Sequence, residues 1–184
     1  MNRNRLFKVV LLYLNLNVVQ SAAPTVSIES YDLQYSYYTK FQSLINTEDK
    51  PIHVSSLIAL NDADSTNLIQ ATIEISSGYT SGDTLIFEDQ NSITGTFNSA
   101  SGVLLLTGSA SIDDYKTALR SLTFLSSPDH EFTDQGNTHS KTLRFQVIDD
   151  SAESSNQATR NIILTTPKLV YTDTHQGKIV RMIA

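Results

Sequence analysis

The chain of 184 residues contains no cysteine. A secreted domain made from it cannot be stapled by disulfides, and thiolate-rich zinc sites are excluded. Glycine is scarce, serine and threonine are abundant, and most apolar segments are short and bounded by turn residues. That is the pattern of a many-stranded antiparallel fold. Beyond the first 21 residues there is no apolar run of the roughly 20 residues needed to cross a bilayer as a helix, so no membrane insertion of the mature chain is expected. Excess basic charge is lacking too. Three of the 13 basic residues lie before Ala22, leaving 10 against 19 acidic ones, a formal net charge of −9. Such a surface repels nucleic acid and anionic lipid and suits cations.

Catalytic signatures are also missing. There is no H-E-x-x-H, G-x-S-x-G, Walker loop or G-x-G-x-x-G. His53, His130, His139 and His175 are scattered, and Ser126, Ser127, Asp129 and His130 read as a polar loop rather than a hydrolytic set. The expected class is therefore not an enzyme.

The first residues carry an address. Arg3, Arg5 and Lys8 form a basic region, Leu6 to Val19 an apolar one, and Val19-Gln20-Ser21 places small residues at the −3 and −1 positions. This is the pattern of a secretory signal peptide cleaved after Ser21, which implies a secreted or cell-surface protein. Cleavage after Ala23 would put Pro24 first and is disfavoured.

Alternation at period two predicts strands over 69–75, with Ile69, Ala71, Ile73 and Ile75 inward, and over 143–147, with Leu143, Phe145 and Val147 inward. Further strands are expected at 25–30, 41–45, 52–54, 57–60, 84–88, 94–97, 103–107, 122–125 and 158–165, with a polar loop over 128–139. Asn98 to Gly102 reads as a hairpin loop. One helix interrupts the strands: Ser111 caps it, Asp114 follows at capping-box spacing, and Ile112, Tyr115, Ala118, Leu119 and Leu122 recur at helical spacing. Asp113 and Asp114 are best explained as first-turn acids favoured by the helix dipole. The fold class expected is all-β, a Greek-key β-sandwich with one short crossing helix.

Two acidic stretches, Asn61-Asp62-Ala63-Asp64-Ser65 and Asp149-Asp150-Ser151, fall where strands end and loops begin. Oxygen ligands in loops suit a hard cation such as Ca²⁺. The same residues also favour solvated turns through side chain–backbone hydrogen bonds, and both readings stand at this point. B–C and F–G loops of a sandwich cluster at the same end, which would bring Asp62, Asp64 and Asp149 to one pole.

Asn46-Thr47-Glu48-Asp49-Lys50-Pro51, Leu60 to Ser65, Gly82-Asp83-Thr84-Leu85, Ile93-Thr94-Gly95-Thr96-Phe97, Gly102 to Gly108 and Tyr115 to Phe124 occur in an order and spacing that resembles the cadherin-like, immunoglobulin-like repeats of large surface adhesins, over about residues 44–166. The resemblance implies a Ca²⁺-binding link in an extracellular stalk that contacts other extracellular modules or surface proteins. It maps metal ligands onto Asp62, Asp64 and Asp149 at one pole and Glu48 at the other. The chain departs from that family in lacking an Asp-Arg-Glu segment, and Thr165-Thr166-Pro167 is poor in ligands. Glu29 or Asp32 are further oxygen donors by position. A carbohydrate- or protein-binding sandwich without calcium is the alternative, with Tyr31, Tyr35, Tyr37 and Tyr38 as an aromatic contact surface.

The organisation expected is a signal peptide at 1–21, an N-terminal linker or extra strand at 22–43, the sandwich at 44–166 and a tail at 167–184. The tail reads as two short strands and resembles the start of a low-density-lipoprotein-receptor-type propeller blade.

Overall fold

Short alternating segments and scarce long-period patterns fold into strands throughout. The computed structural model describes residues 21–36, 51–127, 138–165, 168–174 and 177–183. The expected signal peptide up to residue 20, the strand expected at 41–45, Glu48, and Tyr37 and Tyr38 lie outside the described residues. In chain order the strands are β1 (Thr25–Ser27), β2 (Leu33–Ser36), β3 (Ile52–His53), β4 (Ala59–Asn61), β5 (Asn67–Ser77), β6 (Thr84–Ile86), β7 (Thr94–Asn98), β8 (Val103–Ser111), β9 (Thr123–Leu125), β10 (Thr138–Asp149), β11 (Ala158–Thr165), β12 (Lys168–Thr174) and β13 (Gly177–Ile183), with helix α1 (Ile112–Ser121) between β8 and β9.

The larger sheet has six strands in the order β2-β11-β10-β5-β8-β7, and β3-β9-β6 and β1-β4 form smaller sheets. Neighbours are antiparallel except β2, which runs parallel to β11. The result is the all-β Greek-key sandwich expected from the pattern, with one crossing helix among the described residues. In the tail, β12 and β13 pair as an antiparallel hairpin.

Leu143, Phe145 and Val147 of β10, Ala71, Ile73 and Ile75 of β5, Leu104 and Leu106 of β8, and Ile162 and Leu164 of β11 are all buried. They form one core with Val54, Ile58, Leu60, Leu85, Tyr115, Leu119 and Phe124. Burying such side chains contributes roughly 1.5–3 kcal/mol each. Helix α1 turns Tyr115, Ala118 and Leu119 inward, and its first turn is held by Ser111, whose Oγ accepts from the Asp114 N–H at 3.1 Å and donates to Asp114 Oδ2 at 2.6 Å.

Three expectations fail locally, each for a physical reason. Ile69 is 37% exposed, while Leu68 is fully buried. A bulge in the pairing of β5 with β8 falls between Leu68 and Gln70 and reverses which side faces the core. Leu57, expected to be buried in a strand over 57–60, is 63% exposed, because its N–H is taken at 2.8 Å by Glu29 Oε1 rather than by a ladder. The loop expected over 128–139 ends early, since β10 already starts at Thr138: pairing with β11 from Thr138↔Thr165 onward carries this polar end.

Candidate functional site: an acidic pole

The alternation of β10 governs this site. Lys141, Leu143, Phe145, Val147 and Asp149 share the inward parity, and all five are buried. The strand therefore carries a charged side chain into the interior at each end, about 26 Å apart at ~3.3 Å per residue.

At the Lys141 end the charge is neutralised. Lys141 Nζ donates to Asp83 Oδ2 at 2.5 Å and to Gly78 O at 2.8 Å. Asp83, also buried, accepts from the Thr80 N–H at Oδ2 and from the Ser127 N–H at Oδ1, both at 2.8 Å. Gly82 sits beside it at φ +98°, where a Cβ would come within 2.8 Å of Ser127 Oγ, so only glycine fits this turn.

The Asp149 end differs. Asp149 Oδ1 accepts from the N–H groups of Ser151 at 2.9 Å and Glu153 at 2.8 Å, which form the loop into β11. Its Oδ2 is buried and has no hydrogen-bond partner. In the loop after β4, Asp62 Oδ1 accepts from the N–H groups of Asp64 and Ser65, both at 3.2 Å. That is an Asx turn. Asp62 Oδ2 is likewise buried without a partner. Burial pushes the Asp62 carboxyl up, but the N–H groups of Asp64 and Ser65 outweigh it and hold it below the usual carboxylate range.

Ser65 Oγ donates to Asp150 Oδ1 and so ties the two loops together. Asp64, which is exposed, accepts the Ala22 N–H at Oδ2, 2.9 Å away. Residues ahead of β1 thus reach the same pole, since Thr25 of β1 pairs with Asn61. Asp62 also lines an open cleft of about 330 Å³, shared with Ser111, Asp113 and Lys116. There Lys116 Nζ pairs with Asp113 Oδ1 at 2.8 Å.

Asp62, Asp64 and Asp149 accordingly occupy adjoining loops, with Asp150 as the residue that joins them. Asp150 belongs to the acidic stretch read from the sequence, but not to the residues expected as ligands; its link to Ser65 is non-local. Glu48 lies outside the described residues. Glu29 and Asp32 do not serve the pole. Glu29 is held by Ser55 Oγ at 2.5 Å, by the Leu57 N–H and by Arg160 at 3.3 Å. Asp32 accepts from Asn161 at 3.2 Å. The Arg160 guanidinium lies 5.0 Å from the ring centre of Tyr31.

Hard cations take carboxylate oxygens, and the two orphaned atoms are such oxygens, one in the loop after β4 and one on the last residue of β10. Among the described residues, however, no three acidic or histidine side chains gather into a metal cluster. Any cation here would draw its remaining ligands from carbonyls, water or a neighbouring molecule.

No family model matches the chain. In an alignment of 82 positions that covers 41% of the chain, it is 40% identical to Halomucin of Haloquadratum walsbyi, and the chain spans 1% of that protein's length. Among solved structures, AggA, the major subunit of aggregative adherence fimbriae type I from Escherichia coli, aligns at 12% identity over 80% of this chain and 97% of the subunit, with a TM-score of 0.25. At that score the likeness carries no argument.

Proposed function

We propose that this chain is a non-enzymatic extracellular structural or adhesion module that binds Ca²⁺ at its acidic pole and contacts other extracellular modules or surface proteins. One observation carries the reading: Asp62 and Asp149 each bury a carboxylate oxygen that nothing in the fold satisfies. A buried oxygen with no donor costs free energy, more so when charged. A hard cation is the partner whose chemistry matches, and Ca²⁺ takes about 6–8 oxygens in flexible geometry. Asp62 and Asp149 would supply first ligands, and a docked neighbouring module could supply others. The extracellular setting is supported by the leader-like first 21 residues and by the partial likeness to Halomucin.

Calorimetry tests this. Ca²⁺ added to the chain should bind with a dissociation constant of about 10⁻⁴–10⁻³ M, as extracellular modules do. Binding should weaken at least tenfold in Asp62→Ala. Equal binding by the variant, or no heat from the wild type at millimolar Ca²⁺, would remove the calcium assignment and leave a sandwich that recognises its partners without metal.

A further inference from the structure

The Ala22 N–H bond to Asp64 has a consequence for maturation. In the uncut chain this nitrogen is an amide whose N–H points at Asp64 Oδ2 from 2.9 Å. The residue before it, Ser21, has its Oγ buried with no hydrogen-bond partner. Three residues later the chain is locked into the fold: Pro24 and Val26 are buried, Thr25 pairs with Asn61, and Asn156 brackets Val26 with hydrogen bonds to its N–H and its carbonyl, both 2.9 Å. The Ala22 nitrogen is therefore held beside Asp64 by structure on its C-terminal side.

We propose that hydrolysis of the Ser21–Ala22 bond during export converts this amide into an α-ammonium that pairs with Asp64, so that the mature amino terminus is a built-in cation of the acidic pole. A signal-peptide-cleaving protease adds water across the bond. The C–N bond breaks, Ser21 leaves as a carboxylate with the leader, and the Ala22 nitrogen takes up protons to become –NH₃⁺. The departing residue takes the unsatisfied Ser21 hydroxyl with it, and a hydrogen bond with charge on the acceptor only becomes one with opposite charges on both partners. The geometry selects this bond. A cut two residues later leaves the Pro24 nitrogen first and discards the donor, whereas a cut earlier leaves Ala22 as an uncharged amide. The inference does not rest on the calcium reading, and its test is run in chelator.

The chain is expressed with its own first 21 residues in a secreting host. Intact mass and N-terminal sequencing should give a mature protein beginning at Ala22; any other first residue overturns the proposal. The mature protein is then compared, in EDTA at pH 7, with a form that retains Ser21. The free Ala22 terminus should raise the unfolding temperature by about 1–4 °C, the range for one exposed ion pair in a domain of this size. The gain should shrink in 1 M salt, where such pairs are screened. It should vanish when both forms carry Asp64→Asn, a substitution the fold accommodates because Asp64 is exposed. A gain of equal size in the Asp64→Asn background would show that Asp64 is not the partner and overturn the proposal.

Discussion

Lys141→Met tests how the fold tolerates charge inside. Lys141 and Asp83 are 2% and 0% exposed at their side chains, and their charged atoms are 2.5 Å apart. Met keeps the length and apolar stem of Lys141 but removes the ammonium. Asp83 then stays buried without its cationic partner, though not stripped of donors, because the Thr80 and Ser127 N–H groups still point at it. Breaking a buried pair from one side costs about 3–5 kcal/mol, and the two retained donors place this case near the lower end. For a domain of this size that is a fall of roughly 6–12 °C in unfolding temperature. The chain has no tryptophan, so urea unfolding is followed by circular dichroism or tyrosine fluorescence. A cycle with Asp83→Asn should give a coupling of about 0.5–3 kcal/mol, little changed between low and high salt because buried pairs are poorly screened. Additive losses, or coupling that disappears in 1 M salt, would refute the reasoning and mean that water reaches the pair.

Two further outcomes follow from the opposite pole and its flank. At about 10 mM Ca²⁺, binding at 10⁻⁴–10⁻³ M stabilises the folded state by roughly 1.4–2.7 kcal/mol; thermal unfolding should rise accordingly in the wild type, and Asp149→Asn should lose that rise, whereas an equal rise in the variant would exclude Asp149 as a ligand. Glu29 and Asp62 both titrate below their ordinary values of 4.5 and 3.8, burial being outweighed by hydrogen bonds from Ser55, Leu57 and the Arg160 charge in the first case and from Asp64 and Ser65 in the second. A carboxyl lowered in the folded state lends stability that is fully present above its unfolded value and is lost as pH falls through its folded one. Urea midpoints should therefore be level from neutral pH to about pH 5 and fall below that, with a shallower fall in Glu29→Gln. A midpoint unchanged down to pH 3 would contradict both assignments.

Much of the sandwich was legible because its strands obey one rule. Period-two alternation finds β5 and β10, capping chemistry finds α1, and a five-residue loop ending in Gly102 finds the β7–β8 hairpin. What escaped is non-local. Nothing within 69–75 announces the bulge that exposes Ile69, since the bulge exists only in the pairing with β8. The strand β2 was not readable from its polar, tyrosine-rich sequence; it is held by parallel pairing with β11, more than 120 residues later. Glu29, expected in a strand over 25–30 and as an oxygen donor by position, is instead committed to Ser55, Leu57 and Arg160. The acidic pole was half legible. Acid-rich loops at strand ends can be read directly, but the Ser65–Asp150 link and the Ala22–Asp64 contact join segments 85 and 42 residues apart.

The two ends of β10 differ in how the fold treats an inward charge. An inward position on a central strand is normally apolar, and an inward charge must be neutralised or destabilise the fold. At one end the fold meets that demand completely: Lys141 finds Asp83, Gly78 O and Thr80. At the other, the same strand with the same parity leaves Asp149 Oδ2 without a donor, and the neighbouring loop leaves Asp62 Oδ2 in the same condition. Poor packing does not explain this, since both carboxylates have their Oδ1 atoms bound by backbone N–H groups that fix the side chains in place. The loops hold each carboxylate by one oxygen and leave the other bare. That arrangement suits a partner brought from outside the chain, and the bare atoms are acceptors, so the partner must bring positive charge or donors. A solvated acidic surface would leave these oxygens to water. Burying them is what the proposed site adds to an acidic patch.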